Sequence, residues 1–132
     1  MRIGELATRA GVDVQTIRYY EREGLIMEPP RTNAGYRVYG QEDFAVLSFI
    51  RHCRSLDITL AEIRILLDFR AHPDRTCEDV DRIIAKHLEE VHKRIAVMQL
   101  LEQQLCALKL SCGETRTVAQ CGILQSLDVA LD

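Results

Sequence analysis

No stretch of the 132-residue chain approaches the ~18 consecutive apolar residues that a membrane helix needs, which excludes a helical membrane protein. The first ten residues lack the apolar run of a signal peptide, because Glu5 and Arg9 interrupt it, and a cytoplasmic location is the expectation. There is no phosphate-cradling glycine loop, no convincing nucleophile–base pair and no catalytic zinc signature, so the chain does not read as an enzyme. With 47% hydrophobic residues it is not intrinsically disordered. The sequence pI near 5.8 argues against non-specific polyanion binding, but it leaves room for a local basic surface.

Two further absences are positional. No aromatic residue follows Phe69, and no lysine occurs in the first 55 positions. Residues 1–55 instead hold eight arginines against seven acids, whereas residues 56–132 hold nine basic and thirteen acidic residues. Four of the five cysteines (Cys77, Cys106, Cys112 and Cys121) lie in the aromatic-free part. An odd number of thiols in a reducing compartment points to metal or redox chemistry rather than a disulfide scaffold. The length suits one compact domain, or one small domain with a long appendage.

The first 25 residues read as two short helices around a glycine turn. Ile3, Leu6, Ala7 and Ala10 recur at helical spacing until Gly11, and Asp13 is positioned to cap a second helix over roughly Val14–Glu23 that Gly24 ends. Val14, Ile17 and Tyr20 share one face of that helix, while Gln15, Arg18, Tyr19 and Arg22 share another. An amide, two guanidiniums and a phenol match the groups that read a major groove, and they equally describe a solvated polar face. Pro29 and Pro30 interrupt helix, and the turn residues Asn33-Ala-Gly35 before Tyr36-Arg-Val-Tyr39 predict a small hairpin, a wing. A third helix is expected from Gln41 to about Ser55. Thr59-Leu-Ala-Glu62 is a capping box that opens a fourth helix, to about Arg70.

Thr76-Cys-Glu-Asp79 is a cap signature, and nothing that breaks a helix follows until Gly113. Ile84, Leu88, Val91, Ile95, Met98, Leu101, Leu105, Leu108 and Cys112 form a heptad seam with one three-residue stammer. Such a helix, ~54 Å long at 1.5 Å per residue, has no second helix of similar length in its own chain to cover the seam. A second copy of the chain is the simplest cover. Thr76 as cap would place Cys77 at the first helical position, some ~50 Å from Cys112 along one straight helix. An antiparallel homodimer would set Cys77 of one protomer beside Cys112 and Cys121 of the other, giving two equivalent three-thiolate sites. Three sulfur ligands select thiophilic ions. Zinc wants a fourth ligand, for which Glu114 is the obvious residue between Cys112 and Cys121. Cys53 and Cys106 read as ordinary core and surface thiols. His52 and His72 have no partners at ligand spacing, while His87 and His92 lie near Glu89 and Glu90, where a weak secondary site competes with simple solvation.

Ile3-Gly-Glu-Leu-Ala, Thr16-Ile-Arg-Tyr-Tyr-Glu21, Gly24-Leu25, Gly35-Tyr-Arg-Val-Tyr39 and Leu60-x-Glu-Ile-x-x-Leu-Leu67 together resemble the MerR family of metal-responsive transcription regulators. Cys77, Cys112 and Cys121-Gly-Ile-Leu124 most resemble its lead- and cadmium-responsive branch, with mercury sensors the nearest rival. Copper(I) sensors of the family have serine where this chain has Cys77. Zinc sensors carry a histidine in the terminal loop, and none stands between Cys112 and Cys121.

The resemblance implies an all-α fold with a small β wing: a winged helix-turn-helix head over residues 1–70 (helix-turn-helix about 4–23), a long antiparallel coiled-coil dimerisation helix over 76–112, and a metal-binding loop and tail over 112–132. It carries DNA contact onto Arg18, Tyr19, Tyr36 and Arg37, and less directly onto Gln15 and Arg54. It carries metal ligation onto Cys112, Cys121 and the Cys77 of the partner subunit. The expected ion is Pb2+ or Cd2+, with Hg2+ and Zn2+ as alternatives. The expected partners are double-stranded promoter DNA, RNA polymerase and a second copy, with no membrane. Family members bind a palindromic promoter element whose spacer is too long for polymerase, and the metal-bound dimer bends and untwists it so that the promoter boxes realign. A thiol redox switch and a structural zinc scaffold are the alternatives from other classes.

Overall fold

A computed structural model describes residues 1–113 and 117–131. Six α-helices are found among them: α1 (Ile3–Ala10), α2 (Val14–Arg22), α3 (Gln41–Ser55), α4 (Leu60–Arg70), α5 (Glu78–Leu110) and α6 (Gly122–Leu127). The chain forms two compact units, the first spanning Met1–Ile83 and the second beginning at Ile84.

In the first unit, α1 to α4 close over one apolar core. Leu6 of α1, Ile17 of α2, Leu47 and Ile50 one turn apart on α3, and Ile63 of α4 are fully buried. Val80 and Ile83, from the first turns of α5, pack partly buried against this core. The helix ends follow local chemistry. Gly11 (φ 70°) ends α1, and beyond α2 the amides of Gly24 and Leu25 donate to the carbonyls of Glu21 and Tyr20 around a left-handed Gly24 (φ 76°). After α3 the same pattern recurs around Asp57 (φ 61°), a short polar residue that tolerates this conformation. Thr59 and Glu62 form the expected box at α4: Thr59 Oγ1 accepts from the Glu62 amide at 3.2 Å, and Glu62 Oε1 accepts from the Thr59 amide at 3.0 Å.

Four expectations are corrected. Asp13 occupies the cap position of α2, but its side chain makes no capping hydrogen bond. The expected hairpin contains no strand among the described residues. It is a turn, with Gly35 N donating to Thr32 O at 2.9 Å and Thr32 N to Tyr36 O at 2.7 Å, closed by a single antiparallel bridge between Arg31 and Arg37. Pro29 and Pro30 have no N–H to extend that ladder, and the second arm pairs elsewhere. Tyr39 N donates to Met1 O at 2.6 Å, and the Met1 amino group donates to Tyr39 O at 2.8 Å. At the start of α5, Cys77 rather than Thr76 is the capping residue, because its carbonyl accepts the first helical bond, from Asp81 N at 2.8 Å. The tail after Cys112 is not merely loop: a 3-10 turn (Val118–Gln120) leads into α6.

The second unit holds most of α5, and no residue of this helix is buried. The seam residues Ile84, Leu88, Val91, Ile95, Met98, Leu101 and Leu105 are each 45–62% exposed. No helix among the described residues is long and apolar enough to cross a membrane.

The core makes a direct prediction. Leu47→Ala should lower the unfolding free energy by about 2–5 kcal/mol, from lost burial plus the cavity left behind. Urea unfolding at fixed protein concentration measures it, and a loss under about 0.5 kcal/mol would contradict the packing described.

Candidate nucleic-acid interface and thiol centre

The polar face of α2 is open to solvent: Gln15, Arg18, Tyr19 and Arg22 are all exposed, while Ile17 and Tyr20 turn inward. The Arg22 guanidinium lies 5.9 Å from the Tyr19 ring centroid, within cation–π range. Arg18 shares a concavity of about 220 Å³ with Ile3, Arg31, Gly35, Tyr36, Arg37 and Tyr39, so the helix and the turn present one surface. At the turn's edge Arg2 stacks over the Tyr36 ring at 3.6 Å, and Arg31 Nη1 donates to Gly35 O at 2.9 Å. Arg2 and Arg31 therefore join the expected Arg18, Tyr36 and Arg37 in one basic neighbourhood. Their sequence positions, on different segments, gave no periodic signal of this.

Arg37 is held between two carboxylates. It donates to Glu21 Oε2 at 3.2 Å and to Glu28 Oε1 at 2.9 Å. The Glu21 side chain is only 1% exposed and also accepts a short hydrogen bond from the Tyr39 hydroxyl. A buried carboxylate without partners is costly, so these two donors make its position on α2 tenable and fasten the turn to that helix. Burial, then the hydrogen bond to Glu21 and its charge, push the Tyr39 hydroxyl up to about 12. Glu21 was not among the expected site residues, although it lies four residues after Ile17 and seven after Val14, on the inward face of α2, where a carboxylate needs partners. Arg54 spends one donor on Ile58 O at 3.1 Å, bracing the link between α3 and α4, and its side chain remains exposed.

The thiols fall in different settings. All five cysteines are outside any disulfide. Cys53 is buried in the first unit, and burial pushes its thiol up. Cys77 is exposed at the start of α5, beside a concavity of about 250 Å³ lined by Phe49, Leu66, Phe69, Pro73 and Val80. Arg75 braces the preceding loop by donating to Asp68 Oδ2 at 2.7 Å, and this bond holds the Asp68 carboxyl below its ordinary range. In the second unit, Cys106 is exposed on α5, whereas Cys112 and Cys121 come together across the intervening segment. The Leu124 amide, with the Ile123 amide and a hydrogen bond from Cys112, draws the Cys121 thiol down.

Two adjacent sulfurs, one of them favoured as thiolate, are a donor set suited to a thiophilic ion. Among the described residues no three His, Cys, Asp and Glu side chains of the one chain form such a cluster. Glu114 lies outside the described residues. His72 engages Asp68, with Nδ1 2.7 Å from the Asp68 carbonyl oxygen, and among the described residues neither His87 nor His92 belongs to a group of three or more metal-ligating side chains.

A helix-turn-helix with an exposed basic and aromatic face, followed by a long helix and paired thiols, is the arrangement of a DNA-binding regulator. Comparison with known proteins is specific. The model for the MerR HTH family regulatory protein matches residues 1–69, and that for MerR, DNA binding matches residues 44–108. The chain belongs to the MerR family of transcriptional regulators, which bind promoter DNA, and its relatives place it among the metal-responsive members. It is 40% identical to the mercuric resistance operon regulatory protein of Bacillus cereus, over 96% of both chains. It is also 40% identical to the HTH-type transcriptional regulator ZntR of Escherichia coli (strain K12), over 96% of this chain and 92% of that one. A crystal structure of the transcription regulator PbrR691 from Ralstonia metallidurans CH34, in complex with lead(II), matches with a TM-score of 0.78 at 43% identity, covering 96% of this chain and 98% of that one.

The Glu21 network yields a pH-dependent prediction. A hydroxyl raised from its ordinary 10.0 to about 12 contributes stability that is fully present below pH 10 and lost as pH rises through 12. Tyr39→Phe should therefore lower stability by about 1–3 kcal/mol at neutral pH and flatten the decline of stability above pH 10. Chemical unfolding of both proteins from pH 8 to 11.5 measures this; parallel pH curves would contradict the coupling.

Proposed function

We propose that this protein is a cytoplasmic, homodimeric regulator that responds to a thiophilic divalent ion, Pb2+ or Cd2+ in preference to others, and activates metal-resistance genes with RNA polymerase. The observation that carries the reading is the closeness of Cys112 and Cys121 in the second unit, where the backbones of their neighbours Ser111 and Gly122 abut. In this reading residues 1–70 are the winged DNA-binding head, 76–112 the antiparallel coiled-coil helix, and 112–132 the metal-binding loop and tail. Cys112 and Cys121 provide two thiolates, and Cys77 of the partner subunit provides the third. When bound, the ion supplies a tie between the two protomers.

On the DNA side, Arg18 and Tyr19 face the major groove from α2, with Gln15 beside them. Tyr36 and Arg37 set the wing on the phosphate backbone, and Arg54 adds a peripheral contact. Arg37 does so while anchored to Glu21 and Glu28, so its role is to fix register. The coupled heads rotate as rigid bodies through α5, and the operator is bent and untwisted. Such deformation costs on the order of several kcal/mol. The thiolate site must then favour the activating arrangement by a comparable amount, or no switching follows.

The preference for lead or cadmium draws on the lead(II) complex of the similar regulator and on the absence of histidine between Cys112 and Cys121. A mercury(II) response is the second reading, supported by the mercuric resistance relative. A thiol redox switch would use the same cysteine pair and would answer an oxidant without metal.

In-vitro transcription titrated in parallel with lead, cadmium, mercury and zinc tests the reading; a flat response to all four overturns it. Cys77→Ser, Cys112→Ser or Cys121→Ser should each abolish the metal response and leave operator affinity within about twofold. Mixed dimers of Cys77→Ser and Cys112→Ser chains should keep one intact site, and retention of none would contradict sharing across protomers. For the DNA face, Arg18→Ala should weaken operator binding by about 1–3 kcal/mol. Fluorescence anisotropy across a salt series reads this, and unchanged affinity would remove Arg18 from the interface.

A further inference from the structure

Gly113 and Gly122 flank the two paired cysteines, and neither has a positive φ, so backbone conformation does not require glycine at either place. Their surroundings differ sharply. Among the described residues, nothing lies within 4 Å of where a Gly113 Cβ would sit. At Gly122 a Cβ would meet the Ser111 carbonyl oxygen at 2.0 Å and the Ser111 carbonyl carbon at 2.9 Å. These are backbone atoms, so no side chain can swing aside to make room.

Neither partner in that contact is loose. Ser111 N donates to Ala107 O at 3.2 Å and to Leu108 O at 3.1 Å, and its hydroxyl donates to Leu108 O at 2.6 Å, which locks it to the last turn of α5. On the opposite side, Cys121 N donates to Val118 O at 3.1 Å, Gln125 N donates to Cys121 O at 3.1 Å, and Gln125 Nε2 donates to Ala119 O at 3.3 Å. Ser111 immediately precedes Cys112, and Gly122 immediately follows Cys121. The contact therefore sits one residue from each sulfur-bearing residue, where it governs their separation.

We propose that Gly122 is the positioning residue of the thiol pair: the bare Cα of Gly122 against the Ser111 carbonyl is what allows Cys121 to reach Cys112. Gly122 touches no ligand and acts wholly through the cysteines. The inference deepens the proposed thiolate site and rests on it in the metal arm of the test alone.

Gly122→Ala is compared with wild type and with Gly113→Ala, in the full-length chain with all cysteines present. The metal-free arm equilibrates each protein with reduced and oxidised glutathione. There Cys112 and Cys121 lose two protons and two electrons to form one disulfide, and glutathione disulfide is reduced to two thiols. Mass mapping of that one disulfide gives the effective concentration of the pair. The metal arm titrates lead and cadmium separately and follows thiolate-to-metal charge-transfer absorption.

Gly122→Ala should lower both the effective concentration and the metal affinity at least tenfold, with operator binding and helix content as in wild type. Gly113→Ala should match wild type in both arms. The proposal is overturned if Gly122→Ala equals wild type in the glutathione arm, or in the metal arm when wild type binds metal, or if Gly113→Ala falls equally far. Loss of helix content or operator binding in Gly122→Ala would also overturn it, because the residue would then be structural in general. Absence of thiolate absorption in wild type would instead defeat the proposed metal site, and the glutathione arm would still decide the spacing.

Discussion

The uncovered apolar stripe of α5 is the constraint on which the rest depends. Seven seam residues from Ile84 to Leu105 remain roughly half exposed, and no residue of the 33-residue helix is fully buried. Fully burying an aliphatic side chain contributes about 1.5–3 kcal/mol, so covering the exposed halves is worth on the order of 5–10 kcal/mol per helix. Two such helices facing one another gain on the order of 10–20 kcal/mol, against an association cost of about 4–15 kcal/mol. That balance favours the proposed pairing with a second copy, and the sharing of thiols between protomers becomes sensible only with it. The unpartnered helix and the incomplete cysteine set are thus one problem with one solution.

Features carried by local chemistry were legible in the sequence. The Thr59–Glu62 box, the left-handed Gly24 and the inward Ile17 and Leu47 follow from helical spacing and capping rules that operate over four residues or fewer. The heptad seam was equally plain, because a stripe needs no knowledge of what lies opposite. The wing was less legible: Tyr36-Arg-Val-Tyr39 has strand propensity, but a ladder needs a second arm. That arm contains Pro29 and Pro30, so Tyr39 pairs with Met1 instead. The start of α5 was misplaced by one residue because Thr76 is the better capping side chain, whereas the carbonyl of Cys77 is the one that accepts from Asp81.

The site residues divide along the same line. Arg18 and Tyr19 could be chosen because they project from one helix at fixed spacing. Glu21 lies on the inward face with Ile17, yet its partners Tyr39 and Arg37 are eighteen and sixteen positions away, and spacing alone does not encode them. Cys112 and Cys121 were legible as donors by residue type. Their closeness depends on a backbone contact between Ser111 and Gly122, and a glycine without a turn signal gives no clue to what it must accommodate.

Within the proposed mechanism, these two kinds of constraint explain how a small site can move a large assembly. The head is tied internally by a buried carboxylate with two donors, so it responds as one body rather than deforming residue by residue. The thiol pair is held from the last turn of α5 on one side and from the turn before α6 on the other. A ligand set fixed at both ends loses little conformational entropy on coordination, so more of its binding free energy is left to bias the position of the third, partner-derived thiol. A looser tail would bind the same ion with the same sulfurs and spend that difference on ordering itself. It would hold metal without signalling it to the DNA.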